Sequence, residues 1–215
     1  MNDAVKVKGI ILSASPMGEQ DKRVVLQTCE LGRITAFAMG CRRGRSALQA
    51  AVNPFVTGEF WLIPGKSAYR ITEASVMEYF RELASLQPGV YMGFYFLDLV
   101  DFYGREGIDG TDMLNLLYIS LKALLKKQRS DKLIRRIFEL KLMALNGDYA
   151  PIKEKLPEKI YNVCAYIARA PIGRLYAFDL DDEGLRLLSN VCDKEMSRVI
   201  DRKLKSKAIM EAFYD

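Results

Sequence analysis

Residues 40–51 read GCRRGRSALQAA, with Arg42, Arg43 and Arg45 inside four positions and no acid beside them. A guanidinium stays charged at any working pH, and its planar fork matches the oxygens of a phosphate. From Leu31 to Gly58 the chain has no Asp or Glu, yet it carries those three arginines and Arg33. Over residues 31–72 there are six basic side chains, Lys66 and Arg70 included, against the single acid Glu59. That net of +5 equals the charge of the whole chain, so the remainder is neutral. Crowded like charges repel unless an external anion neutralises them, and a phosphate backbone is the commonest such partner. Phosphate contact is expected at Arg33, Arg42, Arg43 and Arg45, with Lys22, Arg23, Lys66 and Arg70 as further basic candidates. A solvated loop is the alternative, and Glu19 and Asp21 could pair locally with Lys22 and Arg23. Phe37, Trp61 and Tyr69 lie within or beside the basic strands and are candidates to stack on bases.

Other chemistry is poorly supplied. The chain has no histidine, which removes the usual general base, the commonest zinc ligand and every Ser-His-Asp or Cys-His arrangement. The four cysteines, Cys29, Cys41, Cys164 and Cys192, are far apart with no CxxC pair, and free thiols are expected. Asp179, Asp181, Asp182 and Glu183 form the nearest acidic cluster to a nuclease metal site, but a turn and helix cap explain it. No catalytic residue, metal or cofactor is expected. The N-terminus has no signal-peptide pattern and no apolar run is long enough to cross a bilayer, so a soluble, cytoplasmic protein is expected.

The elements that must position these residues fall into two halves. Up to about Met77 the segments VKVKGIILSA, KRVVLQTCE, RITAFAMG, PFVTGEFWLI and AYRITEASVME read as strands, separated by Gly and Pro turn signals. In RITAFAMG the alternation puts Ile34, Ala36 and Ala38 on one face and Thr35, Phe37 and Met39 on the other. The run SALQAAV between the third and fourth strands suits a short helix. Five strands with a helix there is the layout of an OB-fold barrel; an SH3-like barrel would not expect that helix. After about Phe80 the period becomes helical, with helices expected over 89–103, 111–128, 131–146, 157–169 and 190–206, and a further piece near 181–189. Thr111, Ser130 and Asp182 read as N-caps, and Gly104 and Gly147 as C-terminal stops. The fold class is α+β: an OB-fold DNA-binding domain over residues 1–79 and an all-α domain over 80–215.

The stretch GEQDKRVVLQTCELGRITAFAMGCRRGRSALQAAVNPFVTGEF resembles the N-terminal domain of the RecO recombination mediators. RRIFELKLMALNGDYAP resembles that family's Phe-Glu-Leu-x-Leu segment with its following Gly-Tyr-x-Pro, and VIDRKLKSKAIME its closing basic helix. The resemblance implies DNA repair and recombination through binding of single- and double-stranded DNA and annealing of complementary strands. It also implies cooperation with RecR in loading RecA onto DNA coated by single-strand-binding protein (SSB). Many relatives carry a four-cysteine zinc site after the Tyr-x-Pro segment; here only Cys164 and Cys192 follow, so that site is expected to be lacking. The acidic, Phe-tipped tail of SSB needs an apolar pocket rimmed by positive charge. Lys132, Arg135 and Arg136, read as facing outward beside Leu133 and Ile137, are the candidates for it. Lys203, Lys205 and Lys207 could extend the DNA surface, or simply place favourable charge at a helix C-terminus. The competing reading is a protein-interaction adaptor for SSB and RecR that touches DNA only incidentally.

Overall fold

The computed structural model describes residues 4–44 and 46–214. Five strands come first: β1 (Val5–Met17), β2 (Asp21–Thr28), β3 (Arg33–Ala38), β4 (Thr57–Pro64) and β5 (Tyr69–Glu78), with the short helix α1 (Leu48–Ala51) between β3 and β4. They close into a barrel in the order β1-β2-β3-β5-β4, antiparallel except where β3 meets β5. That is the OB-fold arrangement the sequence implied. The period-two pattern of β3 drives its half of the closure: Ile34, Ala36 and Ala38 are fully buried, while Thr35 and Phe37 face outward and are partly covered. Val7, Leu26, Phe60, Leu62 and Ile71 complete the barrel interior.

By contact the chain divides into two compact units, one comprising the chain up to Arg81 with Leu97–Leu114, the other Glu82–Phe96 with the chain from Asn115 onward. The first unit is therefore the barrel plus an added segment. This segment is stitched to the β2–β3 turn: the N–H groups of Gly110, Gly107 and Arg33 donate to the carbonyls of Cys29, Leu31 and Arg105. Gly32 in that turn has φ +65°, and a Cβ there would stand 2.2 Å from the Arg105 carbonyl oxygen, so only glycine fits.

The helices are α2 (Arg81–Ala84), α3 (Gly89–Tyr103), α4 (Thr111–Lys126), α5 (Asp131–Leu145), α6 (Glu158–Arg169), α7 (Asp182–Val199) and α8 (Lys205–Tyr214), with single 3-10 turns at Lys153–Lys155 and Ile172–Arg174. Ser130 caps α5 by accepting from the Leu133 N–H. Three expectations need correction: Thr111 is the first residue of α4 and not its cap, because the Leu114 N–H already donates to the Gly110 carbonyl. The cap of α7 is Asp181, whose Oδ1 accepts from the Gly184 N–H at 2.8 Å, with Asp182 already inside the helix. The residues read as a separate piece and a helix over 190–206 form one helix ending at Val199, and a second begins at Lys205. Among the described residues no helix is long and apolar enough to cross a membrane.

Candidate nucleic-acid interface

The basic loop following β3 is zipped onto the β1–β2 turn. The Arg42 N–H donates to the Gln20 carbonyl at 2.9 Å, and the Gly40 N–H to Asp21 Oδ1 at 2.6 Å. The side chains follow: Arg42 Nη1 reaches the Gly18 carbonyl at 3.1 Å and Arg43 Nε the Gln20 Oε1 at 2.5 Å. These side-chain acceptors are neutral. Both arginines are exposed, and among the described residues neither has a carboxylate partner, so their charge is positioned without being discharged. Arg45 lies outside the described residues. Lys22 Nζ donates to Asn53 Oδ1 at 2.7 Å and Arg23 Nη2 to Thr35 Oγ1 at 3.3 Å, so these two also lean on neutral oxygens instead of Glu19 or Asp21.

Strand register brings further candidates together. Arg23 on β2 is opposite Phe37 on β3, and Phe37 is opposite Arg70 on β5. Because Ala36 and Ala38 point into the barrel, this row lies on its outer surface, with exposed Arg23 and Arg70 on either side of the partly covered ring. Residues paired across neighbouring strands hold their Cβ atoms about 5 Å apart, so an aromatic face lies within reach of a guanidinium on each side. One ring for a base and two cations for the flanking phosphates is the composition of a single-strand platform. Lys66 is exposed in the β4–β5 turn.

Three barrel candidates go elsewhere. Arg33 is not an open cation: its Nε binds Asp101 Oδ1 at 2.7 Å, closing an ion pair about two-thirds shielded from solvent. Tyr69 packs against the barrel core, and burial followed by the Glu106 carboxylate that accepts from its hydroxyl pushes its pKa up. Trp61 stands between Lys6 and Glu73 in the register, with Lys6 Nζ 5.2 Å from the ring centroid and itself bound to Glu59 at 2.8 Å. Its surroundings hold two acids against one lysine, unlike those of Phe37.

In the helical unit the outward reading of α5 is overturned. Arg135, Arg136 and Glu139 are buried, the last with 1% of its surface exposed. Glu139 Oε1 accepts from Arg135 Nε at 2.8 Å and from the Tyr95 hydroxyl at 2.7 Å, while Oε2 accepts from Arg136 Nη1 at 2.8 Å. Arg136 is also gripped by both oxygens of Asp193, and Arg135 by Glu211. Burial alone would raise the Glu139 carboxyl, but the two guanidiniums outweigh it and hold it below its ordinary value. Leu133 and Ile137 are buried as well, so of the five tail candidates only Lys132 is exposed. The arginines face inward because their charge is matched there.

A cation-rimmed groove lies one helix earlier and escaped the sequence reading. Lys122, Lys126 and Arg129, the last 4.0 Å from Asp179, flank about 240 Å³ floored by Ile119, Ala123 and Tyr176, and Tyr176 is fixed by a 2.6 Å bond between its hydroxyl and Ser120 Oγ. Lys122 and Lys126, one turn apart on α4, were the available signal; Arg129 lies beyond the end of the helix. Lys205 opens α8 and Lys203 lies two residues before it, both exposed and neither at a helix C-terminus, and Lys207 is half-buried with Glu211 3.8 Å away. Cys164 and Cys192 are buried free thiols. Among the described residues no group of three His, Cys, Asp or Glu is placed to hold a metal.

The family described as Recombination protein O N terminal matches residues 1–80. The DNA repair protein RecO of Alkaliphilus metalliredigens is 35% identical over 143 residues, which is 66% of this chain but only 58% of that protein. That of Caldicellulosiruptor bescii is 32% identical over 84% of this chain and 70% of its own length. The Caldicellulosiruptor saccharolyticus protein is 28% identical over 98% and 81%. With the matching barrel at its start and the likeness carried on through the helices, this chain belongs to the RecO family.

Proposed function

We propose that this chain is a non-catalytic DNA repair and recombination protein of the cytoplasm, at work on nucleoid DNA. In this reading it binds single- and double-stranded DNA, anneals complementary strands and, with RecR, helps load RecA onto SSB-coated DNA. The observation that carries the reading is the outer barrel row Arg23–Phe37–Arg70 together with the undischarged Arg42 and Arg43. Cations neutralise the phosphates of two strands and lower the repulsion that opposes pairing. One stacking ring per row leaves base edges free, so sequence preference is weak. Lys22 and Lys66 add to the field, and Arg45 follows Gly44 in the sequence.

The test is annealing of complementary oligonucleotides and single-strand binding across a salt series, with and without SSB. Arg42→Ala/Arg43→Ala reduces the salt slope by about 0.7 for each phosphate it leaves unneutralised. Unchanged affinity and slope in this variant and in Arg23→Ala/Arg70→Ala would remove the barrel from the mechanism. If RecR- and SSB-dependent RecA loading survives those variants, the chain is an adaptor instead.

For the SSB tail, the α4 groove replaces the α5 arginines as the proposed site, because it combines an apolar floor with a cationic rim. Lys126→Glu should abolish binding of a tail peptide while Lys132→Glu leaves it intact; the reverse outcome returns the site to α5.

A further inference from the structure

The outward face of α8 is apolar yet open to solvent. Lys205, Ala208, Ile209, Ala212 and Phe213 are all exposed and recur at i, i+3, i+4, i+7 and i+8, the spacing of one helix face. Ile209 is 51% and Phe213 54% exposed. The helix is nevertheless firmly seated by its opposite side. Met210 is fully buried, the Tyr214 hydroxyl donates to Asp131 Oδ2 at 2.6 Å, and Glu211 accepts from Arg135 at 3.1 Å. An exposed apolar stripe on an anchored helix marks an interaction surface.

Charge says what chemistry covers it. Lys205 opens α8, Lys203 lies two residues earlier, and the first turn contains no acid. A helix N-terminus already carries partial positive charge, so cations placed there call for an external anion. Nucleic acid fits poorly. Ala208, Ile209 and Ala212 offer neither a π-face nor a hydrogen bond to a base, and one face of Phe213 is covered by Tyr91, stacked at 4.3 Å with the planes 10° apart. A helix with carboxylates near one end and an apolar stripe matches both halves of the surface.

We propose that α8 docks an acidic amphipathic helix of a partner protein, carboxylates at Lys203 and Lys205 and apolar side chains over Ile209 and Phe213. The probe is a fluorescein-labelled synthetic helix of about 15 residues, with glutamates at one end and leucines at i, i+3, i+4 and i+7. It is titrated into the full chain and mapped by amide chemical shifts. Saturable binding is expected, with shifts centred on residues 203–213. Ile209→Glu, and separately Lys203→Glu/Lys205→Glu, should each weaken it about tenfold, and Ile209→Ser, with an unchanged melting temperature, should weaken it in the same direction. The proposal is overturned if the peptide binds elsewhere or equally well to these variants. It is equally overturned if the lysine reversal costs single-strand DNA about tenfold in affinity while peptide binding is untouched, which would make the run a phosphate site.

Discussion

The chain contains two arginine doublets with opposite fates. In CRRGR, Arg42 and Arg43 are exposed and held by a carbonyl and an amide. In IRRIFEL, Arg135 and Arg136 are buried and held by Glu139, with Asp193 and Glu211 closing the outer side. Neutral acceptors fix a guanidinium in place but leave its charge for an external anion; carboxylates consume the charge and turn the pair into a structural joint. The same dipeptide is thus left open to a ligand in one unit and holds helices together in the other.

The sharpest way to break this contrast is Glu139→Ala. It removes the one buried carboxylate that both guanidiniums share, leaving only the more exposed Asp193 and Glu211, and should destabilise the helical unit by about 3 kcal/mol, roughly 10 °C in melting temperature for a chain of this size, with DNA affinity of the folded protein unaltered. Acid should expose the same joint. A carboxyl held low in the fold contributes stability that is fully present above its unfolded value, about 4.3, and is lost as pH falls through the lower folded value. Denaturant titrations below that pH should thus show a steeper stability loss in the native chain than in Glu139→Gln, and parallel curves would deny the joint its role. On the barrel side, Phe37→Ala should cost single-strand binding about 1–3 kcal/mol, measured by oligonucleotide anisotropy. The smallest effect is expected at Arg33→Ala: about 1 kcal/mol of stability by denaturation and no change in DNA affinity, since Asp101 already occupies that guanidinium.

What the sequence revealed depended on the range of the interaction. The β3 alternation is purely local, and it correctly put Phe37 outside and Ala36 inside. Ser130 as a cap needs only three residues of context and was equally legible. The inward turn of Arg135 and Arg136 was not, because two of their acids lie 57 and 76 residues away; Glu139, at i+3 and i+4, was the one visible hint. Arg33 misled for the same reason, its acid being 68 residues distant. Gly184 diluted the helical pattern of α7, yet it sits under the cap: a Cβ there would approach Asp181 Oδ1 to 2.8 Å. The break after Val199 carries no Gly or Pro to announce it. The α4 groove needed the distant segment around Tyr176 as its second wall.

The barrel closes through only two residue pairs between β3 and β5, Ala36 with Tyr69 and Phe37 with Arg70. A strand of DNA lying across the row would straddle this thinnest seam and act as a clamp on it. Occupancy and closure then share free energy, and slowed amide hydrogen exchange along β3 and β5 becomes a readout of binding that requires no label on the nucleic acid.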